Sequence, residues 1–136
     1  MNRRDFIFTG LAAALLSSSA LVSVPVPAQA AGRIQVIYVG GLDCPYCSMW
    51  RKEYEKEWRA SPYIQQVQYI EVDAPHLREA YQARYWTGEL EAIRDQLPKK
   101  SGTPRFIVVR DGKVVSNELG VNKWEDTVSL IRTLLG

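Results

Sequence analysis

The chain of 136 residues carries 17 basic and 15 acidic side chains, so its formal net charge is only +2. Without residues 1–30, which hold Arg3, Arg4 and Asp5, 15 basic and 14 acidic residues remain. A balance so close to neutral excludes proteins that bind nucleic acid or an anionic membrane surface by bulk positive charge. The remaining length suits a single domain at residues 31–136.

Residues 1–30 have the pattern of a signal peptide that is removed from the mature protein. Arg3 and Arg4 precede an apolar stretch at residues 6–24, and Ala28-Gln29-Ala30 is a small-x-small cleavage site. The paired arginines are also similar to a twin-arginine export signal, so the Sec and Tat routes both stay open. We expect a periplasmic protein that is cleaved near Ala30 and is not attached to the membrane afterwards; the alternative is an uncleaved anchor.

A strand followed by a helix is predicted at the start of the domain. Residues 34–39 form an apolar run that reads as a buried strand, and Gly40-Gly41 is expected to break it. Beyond this break, apolar and aromatic residues follow at helical steps of three and four and share one face: Cys47, Trp50, Tyr54 and Trp58. The sequence therefore predicts a helix that begins close to residue 44.

The rest of the domain alternates between further strands and helices. The pattern predicts strands at 66–72, 106–109 and 113–118, a polar helical region at 77–97 interrupted near Thr87-Gly88, and a last helix. Asp111-Gly112 indicates a hairpin between the last two strands. Asn122 and Glu125 have the spacing of a capping box, and the helix after them is expected to bury Trp124, Val128 and Ile131.

The order of these elements is β-α-β-α-β-β-α, which predicts an α/β domain. The crossover helix makes the first two strands parallel, with a right-handed connection. The hairpin makes the last two strands antiparallel. We therefore expect a mixed four-stranded sheet flanked by helices on both faces.

Cys44 and Cys47 are the only cysteines of the chain. They lie where the first strand turns into the first helix. Unpaired amides and the helix dipole at a helix N-terminus favour an anion, which lowers the pKa of a thiol placed there. Cys44 precedes the helix and is expected to face outward as the nucleophile, whereas Cys47 is expected to be the buried, resolving thiol. The carboxylate of Asp43 opposes this effect, and we expect the helix terminus to outweigh it.

Together with Thr103-Pro104 before a strand and a hairpin, and with the final helix, the Cys-x-x-Cys pair resembles the thioredoxin superfamily over the whole domain. The resemblance implies the thioredoxin fold and a cis bond between Thr103 and Pro104. It also implies that Thr103 and Pro104, with Pro45 and Tyr46 between the cysteines, contact a substrate peptide. The implied activity is thiol-disulfide exchange with protein substrates and a redox partner, by a monomer that needs no cofactor beyond the Cys44–Cys47 disulfide.

The branch of the superfamily is less sharply indicated. Cys-Pro-Tyr-Cys is typical of glutaredoxins, but the later Gly-Gly…Asp signature of that family is reduced to Gly120 followed by Val121-Asn122. In thioredoxins a tryptophan precedes the first cysteine and an aspartate lies on the first strand, where this chain has Asp43 and Tyr38. With its export signal, the chain is similar to exported thioredoxin-like proteins, among them the small SoxS-type oxidoreductases.

Several alternatives stay open at this point. The two cysteines could form a purely structural disulfide, could bind Cu(I) for delivery, or could belong to a non-catalytic thioredoxin-fold module. His76 is expected to be a solvated residue and not a metal ligand. Trp86 is a candidate for an exposed, substrate-facing aromatic patch. Lys99, Lys100 and Arg105 are expected to lie in a solvated loop around Thr103-Pro104; the alternative is that they raise the positive potential near Cys44.

Overall fold

The computed structural model describes residues 32–136, so the signal peptide predicted at residues 1–30 lies outside the described part. The strands are β1 (Ile34–Gly41), β2 (Gln68–Ala74), β3 (Arg105–Arg110) and β4 (Lys113–Leu119). The helices are α1 (Pro45–Trp50), α2 (Lys56–Ala60), α3 (Glu89–Asp95) and α4 (Trp124–Leu135). Within residues 32–136, none of the helices has the length and apolar character needed to cross a membrane.

The four strands form one mixed sheet, as predicted, and their order in the sheet is β2-β1-β3-β4. β1 and β2 are parallel, whereas β3 is antiparallel to both β1 and β4. The hairpin between β3 and β4 turns at Asp111 and Gly112, which have φ angles of 49° and 79°. Both residues of a type I′ turn need a positive φ, and this explains why Asp-Gly is found there.

Alternate residues of the central strands β1 and β3 feed two separate cores, one on each face of the sheet. The first core packs α1, α2 and α4 against the sheet, and it contains both cysteines. Its buried aromatic side chains are Tyr38, Trp50, Trp58, Phe106 and Trp124. The second core lies under α3 and holds Tyr81, Trp86, Ile93, Leu97 and the inward residues of the opposite strand face. The site at the start of α1 therefore rests on an aromatic layer.

The first helical region is continuous, although its hydrogen bonding changes along its length. Residues Arg51–Glu55 form a π-helical segment between α1 and α2, and the backbone at both junctions stays in the right-handed helical region. Trp50 and Trp58 are buried, and Tyr54 packs against the same core. The predicted shared face of this helix is confirmed.

The prediction that Gly40-Gly41 breaks the first strand was wrong, because both glycines pair with Asp73 and Ala74 of β2. A Cβ atom on Gly41 would lie 2.5 Å from the backbone nitrogen of Leu77. Gly41 is therefore required for the close approach of Leu77, and Gly40 leaves room for the side chain of Tyr38. Both glycines belong to the strand.

The helical region predicted at 77–97 is shorter and more broken than expected. It consists of two 3₁₀ turns, Leu77–Glu79 and Ala83–Tyr85, followed by α3. The alternative of a substrate-facing or exposed aromatic patch at Trp86 is ruled out by its burial. Trp86 is only 1% exposed, stacks on Tyr81 with ring centroids 6.0 Å apart, and donates its indole N–H to the carbonyl of Ala80 at 2.7 Å. These contacts place it in the core beneath the 3₁₀ turns.

The start of α4 also differs from the expectation. A 3₁₀ turn at Val121–Lys123 precedes the helix, and Lys123 occupies the cap position without a side-chain cap. The capping box predicted for Asn122 and Glu125 is therefore absent. The helix does bury Trp124 and Ile131 as predicted, while Val128 packs partly buried against the same core.

Candidate active site

The two cysteines form a disulfide at the N-terminus of α1. Cys44 is the cap residue of this helix, with an extended backbone, and Pro45 is the first helical residue. Pro45 suits this position because its φ is already helical and its missing N–H would have no partner there. The disulfide therefore lies where the strand-to-helix pattern placed the pair.

Two donors converge on the sulfur of Cys44. The backbone N–H of Cys47 lies 3.1 Å from Cys44 Sγ, and the hydroxyl oxygen of Thr103 lies 3.2 Å from it. Hydrogen bonds to an ionised acceptor are stronger than those to a neutral one. In the reduced protein both donors would therefore favour the thiolate of Cys44 over its thiol.

The carboxylate of Asp43 is bound by two residues of the loop after β2. Its oxygens accept a hydrogen bond from the backbone N–H of Leu77 at 2.7 Å and lie 3.2 Å from His76 Nδ1. The Leu77 hydrogen bond, together with His76, holds the pKa of Asp43 below its ordinary value. The His76 side chain is 54% exposed, which agrees with the expected solvated position.

The prediction that Cys44 faces outward was wrong. Cys44 is only 2% exposed and Cys47 only 1%, so burial does not distinguish the two residues. Cys44 is buried because its sulfur turns inward to bond Cys47 and to contact the Thr103 hydroxyl. The intervening Pro45 and Tyr46 are exposed instead, Tyr46 to 62%.

The loop before β3 supplies the residues that approach the disulfide from the sheet. The Thr103–Pro104 peptide bond is cis, as the resemblance implied. Pro104 is buried, and its carbonyl accepts the backbone N–H of Gly120 at 2.9 Å. Of the site residues expected from the sequence, the structure thus brings Thr103 into direct contact with the sulfur. The substrate-binding roles of Thr103, Pro104, Pro45 and Tyr46 stay predictions.

Arg105 does not lie in a solvated loop as expected, whereas Lys99 and Lys100 are exposed. Arg105 is only 6% exposed because it is the first residue of β3 and points into the second core, where Tyr81 and Asn117 bind its guanidinium. The hydroxyl of Tyr81 in turn donates to the carbonyl of Gly102 at 2.8 Å. Burial raises the pKa of Tyr81, and the neighbouring Arg105 charge opposes that rise.

An apolar groove of about 580 Å³ opens at Thr103, whose hydroxyl contacts Cys44 Sγ. Its walls come from the helix after the disulfide, from the loop before β3 and from the segment after β4: Tyr46, Met49, Tyr54, Gly102, Thr103, Leu119, Gly120, Val121 and Asn122. None of these side chains is charged at neutral pH. The exposed fractions of Met49 and Leu119 are 44% and 48%, which is high for large apolar side chains at a surface. A second cavity of about 320 Å³ lies between α2 and α4, and neither cysteine lines it or the apolar groove.

Tyr38 lies in the same core as the disulfide, at the strand position noted above. It is 1% exposed, stacks on Trp50 with ring centroids 4.7 Å apart, and has the Arg51 guanidinium 5.0 Å from its ring centre. Burial raises the pKa of Tyr38 to about 12. Tyr38 is therefore a neutral packing residue beneath the site at physiological pH, not a proton acceptor.

Among residues 32–136, no group of three or more His, Cys, Asp or Glu side chains could hold a metal ion.

Sequence reasoning missed the contributions of Tyr81, Met49 and Leu119. Tyr81 belongs to a region that was expected to be a plain helix, and its contact with the Gly102 carbonyl spans 21 residues. Met49 follows Cys47 by two residues and so falls off the buried face of the helix, which was the one available signal for an exposed apolar position. Leu119 ends β4, and no local pattern marks it.

Comparisons with known proteins support the fold. No protein-family model and no curated protein matches the sequence. The chain is similar in structure to a thioredoxin from Malassezia sympodialis, with a TM-score of 0.53, 18% identity, and coverage of 79% of this chain and 84% of that one. It is also similar to the short form of spinach chloroplast thioredoxin f, with a TM-score of 0.51, 17% identity, and coverage of 79% and 81%.

A more distant neighbour is the periplasmic thioredoxin SoxS from Paracoccus pantotrophus in its reduced form. Its TM-score is 0.43 at 15% identity, with 74% of this chain and 95% of that one covered. These values do not distinguish a SoxS-type protein from other thioredoxins, so the narrower resemblance stays a prediction. What the fold and the site together define is a thioredoxin-fold domain with a disulfide-forming Cys-x-x-Cys pair.

Proposed function

We propose that this protein is a thiol-disulfide oxidoreductase that exchanges disulfides with protein substrates through Cys44 and Cys47. The observation that supports this most directly is the disulfide at the helix N-terminus with two hydrogen-bond donors aimed at one of its sulfurs. A structural disulfide needs no such donors. The loop that the Cys44–Cys47 disulfide closes is also very short, so this disulfide would constrain the unfolded chain less than one that closes a long loop.

In the reducing direction, the thiolate of Cys44 attacks one sulfur of a substrate disulfide. The second substrate sulfur leaves with the bonding electron pair and takes up a proton, and a mixed disulfide with Cys44 remains. Cys47 then loses its proton and attacks Cys44 Sγ, which releases the first substrate sulfur as a thiolate. The substrate gains two electrons, and the protein ends in the Cys44–Cys47 disulfide. A dithiol reductant must restore the pair, and the reverse sequence oxidises a substrate dithiol.

In the oxidised structure a substrate has little access to Cys44, since the residue is almost fully buried. We propose that the substrate approaches along the apolar groove that reaches Thr103 and Tyr46, where the exposed side chain of Tyr46 can move aside. This route also puts the Thr103 backbone next to the substrate. The role inferred for Pro45 and Tyr46 in substrate contact rests on their exposure between the cysteines.

Replacement of each cysteine in turn tests the proposal. In an insulin-reduction assay with dithiothreitol as the reductant, Cys44→Ser should abolish the protein's catalysis, because no nucleophile remains. Cys47→Ser should instead accumulate a mixed disulfide with the substrate that is visible by mass spectrometry and is cleaved by added reductant. Full turnover by the Cys44→Ser protein would refute the assignment, and a mixed disulfide on Cys47 in place of Cys44 would reverse the two roles.

We further propose that the protein is exported and works as a periplasmic monomer on protein partners, with no membrane attachment once residues 1–30 are removed. The basic start, the apolar stretch and the cleavage pattern at Ala28-Gln29-Ala30 support this proposal. N-terminal sequencing of the mature protein from a periplasmic fraction tests it. A mature N-terminus at Met1 in a membrane fraction would contradict it.

A further inference from the structure

Arg105 is a buried cation whose partners are all uncharged. Its guanidinium donates to the Tyr81 hydroxyl at 2.8 Å, to the side-chain oxygen of Asn117 at 3.1 Å and to the Ser101 carbonyl at 2.5 Å. The residue is only 6% exposed. Taking a charge out of water is costly, and a partner of opposite charge is the usual compensation. An apolar side chain at this position would avoid the cost, which indicates that the guanidinium has a role in the contacts that it makes.

The guanidinium and Tyr81 hold the loop before β3 at two successive carbonyls. Arg105 binds the carbonyl of Ser101 directly, and the Tyr81 hydroxyl binds the carbonyl of Gly102 at 2.8 Å. Arg105 also orients that hydroxyl, because its Nε–H occupies the acceptor side of the Tyr81 oxygen. Two consecutive peptide groups are thereby fixed from the core under α3, on the opposite face of the sheet from the disulfide.

The residue that follows these two carbonyls is Thr103, whose hydroxyl lies 3.2 Å from Cys44 Sγ. Gly102, with a φ of 86°, is in the left-handed region that glycine adopts readily, so local sequence does little to hold the loop in place. A hydrogen bond to the sulfur needs its donor within a few tenths of an ångström of the right position. The tethers from Arg105 and Tyr81 supply this precision.

We propose that Arg105 and Tyr81 are positioning residues that hold the Thr103 hydroxyl against Cys44 Sγ and so tune the reactivity of that thiol. The inference rests on the proposed exchange function for its biological meaning. Neither residue touches the disulfide. Both act through the Ser101–Thr103 loop from the other side of the sheet.

The test measures the pKa of the Cys44 thiol by thiolate absorbance in reduced protein that carries Cys47→Ser, so that only one thiol titrates. The ionisable neighbour Asp43 is left unchanged in every variant. Thr103→Val removes the hydroxyl at the sulfur with little change of shape. Tyr81→Phe removes the tether to Gly102 and keeps the ring against Trp86. We expect each variant to raise the thiol pKa by about half a unit to one unit, a three- to tenfold change in the ionisation constant.

A double variant distinguishes positioning from a separate effect. If Tyr81 acts through the Thr103 hydroxyl, then Tyr81→Phe should change the pKa little once Thr103→Val is present. Arg105→Lys keeps the positive charge but cannot make the three directed hydrogen bonds, and we expect it to behave like Tyr81→Phe. Tyr85→Phe is the matched control, since its hydroxyl contacts only Glu79, at 3.5 Å.

Equal thiol pKa values in the Tyr81→Phe and Tyr85→Phe proteins would overturn the inference. Additive effects of Tyr81→Phe and Thr103→Val would also overturn it. If Arg105→Lys fails to fold, the Tyr81 series alone decides the matter. The readout is the thiol itself and needs no protein substrate. A tuned thiol in a protein without insulin-reducing activity would therefore count against the proposed function and leave the positioning inference intact.

Discussion

At the scale of single residues, the neighbours of Cys44 oppose one another. The Asp43 carboxylate adds negative charge beside the sulfur, which disfavours a thiolate, while the Thr103 hydroxyl and the Cys47 amide favour one. The structure compensates the carboxylate with the Leu77 amide and with His76. Asp43 therefore also ties the start of the helix to the loop after β2, a structural role that the sequence pattern did not suggest.

This role of Asp43 predicts a pH dependence of stability. Because the pKa of Asp43 is lower in the folded than in the unfolded protein, the unfolded state binds more protons between the two values. The stabilisation is therefore complete above the ordinary pKa of 3.8 and is lost as the pH falls through the lower folded value. We expect the urea midpoint of Asp43→Asn, which keeps an acceptor for Leu77, to fall less steeply than that of the natural protein below about pH 4.

The comparison uses the two proteins at pH 7 and at a series of lower pH values, at low salt, since exposed charges are screened. Parallel pH profiles for the two proteins would show that Asp43 contributes no ionisation-linked stability.

At the scale of elements, the long first helix is joined to β2 by a cluster of ion pairs. Arg51 in the π-helical segment binds Asp73 at 2.6 Å and Glu55 at 3.0 Å, and its guanidinium lies over the Tyr38 ring. Arg59 in α2 adds a contact with Glu71 at 2.8 Å. The side chain of Arg51 is 29% exposed and that of Arg59 is 50% exposed. Arg51 is therefore the member whose loss should matter most.

We expect Arg51→Gln to lower the free energy of unfolding by about 2 kcal/mol, because it leaves the partly buried Asp73 carboxylate without its charged partner. Oδ1 of Asp73 is already buried without a hydrogen-bond partner among the described residues. Arg59→Gln is the matched control and should cost less than about 1 kcal/mol, since Arg59 is half exposed and both of its acidic partners keep a contact with Arg51. Urea unfolding of both variants measures the difference. An equal cost at the two positions would contradict this ranking.

The elements also show what the sequence pattern could and could not predict. The apolar runs of β1 and β3 and the Asp111-Gly112 turn are local signals, and they correctly predicted the sheet and its hairpin. The prediction of a helical region before α3 failed because helical periodicity does not distinguish an α-helix from successive 3₁₀ turns. In those turns Trp86 packs into the core. The prediction of a strand break at Gly41 failed because the close approach of Leu77 is a tertiary contact that no local pattern reveals.

The same division holds for the candidate site. The cysteine pair, its place at a helix start and the cis Thr103–Pro104 bond follow from motifs that are short in sequence. The burial of Cys44 and the tethers of Arg105 could not be predicted, because they depend on contacts across the sheet. Arg105 is the first residue of β3, between Pro104 and Phe106, and no local pattern marks its charge as buried.

At the scale of the whole molecule, the coupling between redox state and stability distinguishes a redox-active pair from a structural disulfide. Chain entropy alone would make the oxidised form about 2 kcal/mol more stable than the reduced form for so short a loop. The Thr103 hydroxyl and the Cys47 amide favour the reduced form when Cys44 is ionised, which diminishes this difference.

We therefore expect reduction to lower the free energy of unfolding by less than about 2 kcal/mol at pH 7. Urea unfolding of the oxidised and reduced proteins measures the difference, with Thr103→Val as the matched variant. Loss of the hydroxyl should widen the gap between the two forms, and each 1.4 kcal/mol of that gap corresponds to about 30 mV in the reduction potential. A reduced protein that unfolds outright at pH 7 would instead identify the disulfide as a structural one.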